Sequence, residues 1–216
     1  MLKELTEQEK IWRSDFGEHY NLRNDYSNEE LDRGYKAAMG ISRTEMMERF
    51  IGNFDRSIKI LEVGCNIGIM LVNLQQMGFK NLYGIEIQPK AIEYAMKKTK
   101  GLNLTEGSAY DLPFKDCEFD LVFTTHVLIH LDPSKINTAL SEIYRCTDKY
   151  IFGNEYYADE LTEITNYNGQ NNIAWKRDFS KLYSEQFSTL ELLKEEKYRY
   201  SDNRDTDNAF LFMKKK

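Results

Sequence analysis

With 216 residues, 41% hydrophobic and 13% aromatic, the chain can bury one sizeable core, and 30% charged residues without any low-complexity tract exclude a disordered polymer. A formal net charge of −6 excludes a general electrostatic footprint for nucleic acid or an anionic membrane and leaves at most a local basic site. Cys65, Cys117 and Cys146, widely spaced and without a C-x-x-C pair, give neither a disulfide framework nor a zinc cluster, so a reduced, cytoplasmic setting is expected.

The first residues, MLKELTEQEK, alternate in charge and contain no apolar core, and nowhere do 18 apolar residues run together, so a soluble, unexported chain is expected. Residues 1 to about 55 read as a polar helical cap whose Leu31, Tyr35, Met39, Met46, Met47 and Phe50 recur near helical spacing, as core packing does. From Ser57 the rhythm changes. Strands are expected at Ile58 to Val63, Asn81 to Glu86, Leu102 to Glu106, Phe119 to Thr125 and Tyr150 to Asn154. Between them lie helices at Ile67 to Met77, Pro89 to Thr99 and Pro133 to Cys146, the first stopped by Gly78 and the second carrying proline in its first turn. Such alternation, with continuously apolar strands, means a doubly wound α/β fold whose parallel sheet is covered on both faces. Asp159 to Asp178 is polar and irregular and Phe179 to Phe187 helical. Glu191 to Tyr200 and Asn208 to Lys214 then form an antiparallel hairpin around the turn-rich SDNRDTD. Lys214, Lys215 and Lys216 read as a solvated tail.

The stretch EVGCNIGIML turns from a strand into a helix through glycines. A dinucleotide fingerprint needs G-x-G-x-x-G so that backbone can approach a diphosphate. Counted from Gly64, Asn66 and Ile69 occupy the second and third glycine positions, which argues against NAD or FAD. The pattern present is Glu62-x-Gly64-x-Asn66-x-Gly68, and Glu86 closes the next strand, where a carboxylate can accept hydrogen bonds from ribose hydroxyls. Further on, Ser108 and Ala109 precede Asp111-Leu112-Pro113-Phe114 and the strand FDLVF.

These three features, in this order, resemble the class I S-adenosylmethionine-dependent methyltransferases. The resemblance implies a Rossmann-like fold with a seven-stranded, mostly parallel sheet, a C-terminal antiparallel hairpin and an N-terminal helical lid. It implies S-adenosylmethionine as cofactor and S-adenosylhomocysteine as product, bound by residues 56–216 beneath a cap of residues 1–55. Glu62 would lie near the cofactor's ammonium, with Gly64, Asn66 and Gly68 bending round its methionine part. Glu86 and Ile87 would meet the ribose, Ser108 and Ala109 the adenine, and Thr125 the reacting end. Serine stands at 108 where aspartate is common, so a weaker adenine contact is expected.

The segment Thr125-His126-Val127-Leu128-Ile129-His130 follows the fourth strand, where ligands bind in such folds. His126 is a candidate general base for a hydroxyl or amine, since its ordinary pKa lies near neutrality; equally, it can cap the following helix or contact the cofactor. His130 reads as structural. The i, i+4 histidines lack the H-E-x-x-H glutamate and a third ligand, so no metal is expected. No N-P-P-Y type motif follows the fourth strand, where TTHV stands, so nucleic acid is not the expected acceptor.

Trp12, the run Phe16-Gly17-x-x-Tyr20-x-x-Arg23-Asn24, the EVGCNIG variant, VLIH, Glu155-Tyr156-Tyr157 and Lys176-Arg177-Asp178-Phe179 together resemble the pseudaminic acid biosynthesis-associated methylases over roughly residues 11 to 213. The resemblance implies methyl transfer to an oxygen or nitrogen of a small, polar, anionic, sugar-related molecule. Tyr20 and Arg23 would lie over the cofactor and Asn24 over the substrate. Glu155 and Tyr156 would stand beside His126 as catalytic groups, with Tyr157 on the substrate. Lys176 and Arg177 either hold a sugar carboxylate or phosphate or pair on the surface with Asp178 and its neighbours. Another small metabolite as acceptor, or a protein that binds the cofactor and transfers nothing, are the alternatives.

Overall fold

The computed structural model describes residues 4–215. Four short helices come first: α1 (Glu7–Trp12), α2 (Asp15–Arg23), α3 (Asn28–Met39) and α4 (Arg43–Ile51). Three of them open with one device. The hydroxyls of Thr6, Ser27 and Ser42 accept from the third helical amide, while Glu9, Glu30 and Glu45 reach back to the cap's own amide. Helices this short take their stability from packing, and Trp12, Met46, Met47, Phe50 and Ile51 are buried to supply it.

The α/β part runs β1 (Lys59–Val63), α5 (Ile69–Gln76), β2 (Asn81–Glu86), α6 (Pro89–Lys98), β3 (Asn103–Glu106), β4 (Phe119–Thr125), α7 (Ile136–Cys146) and β5 (Thr147–Tyr156). Then follow β6 (Thr162–Glu163), β7 (Trp175–Lys176), α8 (Phe179–Gln186), β8 (Leu190–Arg199) and β9 (Thr206–Lys214). Seven strands form one sheet in the order β3-β2-β1-β4-β5-β9-β8, parallel from β3 to β5 and antiparallel across β5, β9 and β8. The fold is α/β, Rossmann-like, with the expected hairpin. One face packs Met47, Phe50, Leu71 and Leu74 against Ile60, Phe123 and Phe152. The other packs Leu140, Ile143, Phe179 and Tyr183 against Leu61, Val122 and Phe210. Burying each such side chain contributes about 1.5–3 kcal/mol.

Two consequences position the site. The strand order reverses between β1 and β4, opening a crevice at the carboxyl ends of the strands. Because β9 runs antiparallel, its first residues lie at that same edge, with Tyr156 paired to Asp207 and Glu155 to Asn208. Some expected boundaries move. β5 reaches Tyr156, so Glu155 and Tyr156 lie inside the strand and point to opposite faces. α7 begins at Ile136, and a 3-10 turn, Leu128–His130, stands between it and β4. The irregular segment contains the small β6-β7 ribbon. Of the closing lysines, Lys216 lies outside the described residues. Lys214 is no solvated tail, for its amine donates to Tyr144 O and Thr147 O, at 3.1 and 2.9 Å.

Candidate active site

The loop from β1 into α5 turns through three left-handed residues, Gly64 (φ 72°), Asn66 (φ 48°) and Gly68 (φ 79°). At Gly64 a Cβ would stand 2.6 Å from Val127 Cγ2, so the crossing of the two loops admits no side chain. Asparagine tolerates its left-handed angles better than most residues, and here it attaches the loop to its surroundings. Its amide donates to Glu86 Oε2 (2.8 Å), its Nδ2 donates to Asn21 Oδ1 of α2 (2.5 Å), and its Oδ1 accepts from Ile67 N (2.8 Å). A glycine would leave the N-terminal helices without this tether.

Above the loop lies a cavity of about 250 Å³. Of the residues expected to hold a cofactor, Glu62, Gly64, Asn66, Glu86 and Ile87 line it from β1, β2 and their loops. Ala109 and Thr125 line it from the β3 and β4 ends, and Tyr20 from α2. Arg23, Gly68 and Ser108 stand outside its lining: the Arg23 guanidinium donates to Asn168 Oδ1 at 3.4 Å, Gly68 starts α5, and the Ser108 hydroxyl donates to Glu9 Oε1. Asn24 lines the cavity, with its Nδ2 donating to Tyr20 O (2.8 Å).

The charges that face this cavity are buried. Glu62 is 2% exposed; burial pushes its carboxyl well above the ordinary range, Arg43 offsets this and Glu86 adds to it. Its Oε1 accepts from Thr125 Oγ1 at 3.5 Å, and its Oε2 has no partner among the described residues. Arg43, 8% exposed at the start of α4, donates through one terminal nitrogen to Asn28 Oδ1 (3.0 Å), while its Nε has no partner. Burial raises Glu86 too, against the pull of the amides of Asn66 and Gln88. Arg43 was not singled out from the sequence, because SRTEMME reads as an ordinary capped helix start.

His126 lines the same cavity in a left-handed conformation (φ 52°), held by its amide donating to Asn154 O (2.8 Å). Its Nε2 lies 3.0 Å from Oδ2 of Asp207, a fully buried carboxylate that also accepts from Asn154 Nδ2 (3.1 Å). Burial works to lower the imidazole's pKa, but Asp207, by charge and hydrogen bond, and Glu155 outweigh it and leave the pKa raised. His126 is therefore no helix cap: the turn after it is bonded by Glu155, whose carboxylate accepts from Val127 N (3.2 Å) and Ile129 N (3.4 Å). Glu155 is 1% exposed, does not line the cavity and is pushed by burial to a pKa of about 7. It sits beneath the turn, bonded to the amides of Val127 and Ile129. Tyr156 also lies outside the cavity, its ring 4.8 Å from that of His126 and its hydroxyl pushed by burial to about 12.

The remaining expected substrate residues lie elsewhere. The Tyr157 hydroxyl donates to Asp159 Oδ1, with Lys197 Nζ 3.5 Å from its ring centre. Lys176 is paired with Asp205 (2.6 Å), not with Asp178, and neither it nor Arg177 lines the cavity. His130 lines the cavity and is fixed in place: it donates from Nδ1 to Ile173 O (2.9 Å), and burial lowers its pKa to about 4.

Known proteins resemble this chain over part of its sequence and in its fold. Residues 61–149 match the family described as a methyltransferase domain. An uncharacterized methyltransferase of Synechocystis is 33% identical over 87 residues, 40% of this chain and 41% of that protein. The O-methyltransferase rstn1 of Aspergillus nomiae is 32% identical over 111 residues, 47% of this chain and 48% of its own length. The chain thus matches under half the length of these curated relatives. Among solved structures, an S-adenosylmethionine-dependent methyltransferase from Mesorhizobium loti superposes with a TM-score of 0.60 at 10% identity, covering 73% of this chain and 91% of that one, a likeness of fold. The family match is confined to residues 61–149, and the structural likeness is one of fold.

Proposed function

We propose that this chain is an S-adenosylmethionine-dependent methyltransferase acting on a hydroxyl or amine of a small polar molecule. The observation that carries the reading is the relation of Glu62 to Arg43. The two are opposite charges on one cavity, each with a buried polar atom left unpartnered, and no salt bridge joins them. A buried group left in this state costs about 1–3 kcal/mol, which a ligand carrying both an ammonium and a carboxylate recovers at both ends. The amino-acid end of S-adenosylmethionine is such a zwitterion. Glu62 would take its ammonium and Arg43 its carboxylate, with Glu86 at the ribose.

When bound, S-adenosylmethionine supplies a methyl group activated by a sulfonium. The chain supplies the proton handling. Asp207 accepts from His126 Nε2–H, which leaves Nδ1 as the basic nitrogen of the ring, and Nδ1 would take the proton of the acceptor hydroxyl. Asp207 then stabilises the imidazolium. The N-terminal helices contribute to the cavity wall through Trp12, Tyr20 and Tyr35, positions from which they would help exclude water.

The acceptor is an anionic sugar-related molecule of nonulosonic acid synthesis. The FG-x-x-Y-x-x-RN, EYY and KRDF elements support this reading. A second acceptor class, an uncharged small metabolite, is favoured by the pairing of Lys176 with Asp205, which removes one expected anion-binding cation. Calorimetry with S-adenosylmethionine, S-adenosylhomocysteine and NADH tests the cofactor; binding of NADH alone defeats the reading. Release of S-adenosylhomocysteine on adding nonulosonic acid precursors or their CMP conjugates tests the acceptor.

A further inference from the structure

Resting on the cofactor reading above, the geometry points to Glu9 of α1 as the residue that recognises the exocyclic amine of the cofactor's purine, a role placed outside the methyltransferase domain proper. Helix α1 lies across the cavity between the two loops that flank the expected base. Arg13 donates to Ile87 O (3.0 Å), past the end of β2, and pairs with Glu106 (2.9 Å) at the end of β3. On the other side Gln8 Nε2 donates to Asn172 O (3.1 Å) of the long insertion. This crossing brings Glu9, 8% exposed, into the lining beside Ile87 and Ala109.

Ser108 stands outside the cavity lining. Its hydroxyl proton is committed to Glu9 Oε1, and Ser108 Oγ itself accepts from Tyr110 N (3.1 Å). Glu9 Oε2 accepts twice from Thr6, at its amide (2.7 Å) and its hydroxyl (3.0 Å). Two carboxylate oxygens offer about four acceptor positions, so Oε1 keeps one. An ionised carboxylate can only accept. It favours a base with an amine at this position and opposes one with a carbonyl there, where oxygen would face oxygen without a proton between them. The carboxylate missing at position 108 is thus supplied from position 9, and the small hydroxyl orients it.

The test is calorimetric and needs no turnover. S-adenosylhomocysteine and S-inosylhomocysteine differ at purine C6, amine against carbonyl, and at N1, which carries a proton only in the second, so the comparison of wild type with Glu9→Gln isolates the part played by this carboxylate. The wild-type chain is expected to prefer the adenosyl compound by about tenfold or more. Glu9→Gln keeps the capping box but offers either a donor or an acceptor, so the preference is expected to fall at least about tenfold. An equal preference in wild type and Glu9→Gln overturns the proposal, as does equal binding of both compounds by wild type. Failure of wild type to bind either compound defeats the cofactor reading, and the proposal with it. If Glu9→Gln loses its cooperative melting transition, Ser108→Ala replaces it, removing the orienting donor without touching the capping box; an unchanged preference in that variant overturns the proposal.

Discussion

His126 and Asp207 meet at 3.0 Å across 81 positions of the chain. The meeting follows from topology. β9 enters the sheet antiparallel to β5, so a residue at its start arrives at the edge where the parallel strands end. Asp207→Asn keeps the shape and removes the charge that raises the imidazole's pKa. The His126 pKa, read by NMR titration, is expected to fall, and the acidic limb of kcat/KM to move to lower pH with it. A base must be neutral, so activity rises with pH through this pKa. His126→Ala is expected to lower kcat about a hundredfold or more for a hydroxyl acceptor. A pH profile identical in wild type and Asp207→Asn counts against the dyad.

Glu62→Gln and Arg43→Gln separate the amino-acid end of the ligand from the rest. Each is expected to weaken S-adenosylhomocysteine binding about tenfold or more, while 5′-methylthioadenosine, which lacks the ammonium and carboxylate, binds as it does to wild type. Equal losses for both ligands would place these charges in the architecture instead.

Glu155 gives a pH dependence of stability. Its folded pKa of about 7 lies above the ordinary 4.5, so the proton is held more tightly in the folded chain. The contribution is complete below about pH 4.5 and is lost as pH rises through 7. Glu155→Gln stays neutral and keeps an acceptor for the turn amides. At pH 8 it is expected to be more stable than wild type by up to roughly 3 kcal/mol, with the difference vanishing below pH 4.5. Urea melts across this range measure it, and a constant difference would show that burial does not hold the proton.

Asn66→Gly frees the tether while leaving the turn, since glycine accepts the same φ. Global stability is expected to change by less than about 1.5 kcal/mol, but amide exchange in α2 should quicken, because Asn21 loses its partner. Unchanged exchange in α2 would mean that packing alone holds the helix.

Much of the fold was legible in the sequence, because its signals are local. Continuous apolar strands such as FDLVF report burial on both faces, Gly64, Asn66 and Gly68 sit where left-handed angles are needed, and Glu62 and Glu86 stand at strand ends that point into a crevice in any doubly wound sheet. The cavity lining at these positions follows from strand direction. Tertiary structure decided what depends on partners far away in sequence. Arg43 reads as a helix start and Asp207 as one acid in a turn-rich run until the fold turns one toward Glu62 and the other toward His126. Glu155 appears exposed at a strand end until two more residues of pairing carry the strand past it and bury it. Glu9 carries no site signal in the sequence, and its link to Ser108 exists only once α1 has packed there. Sequence determines which residues are left-handed, apolar or charged; the desolvation that makes a charge useful depends on what packs around it, and that is fixed only when distant segments meet.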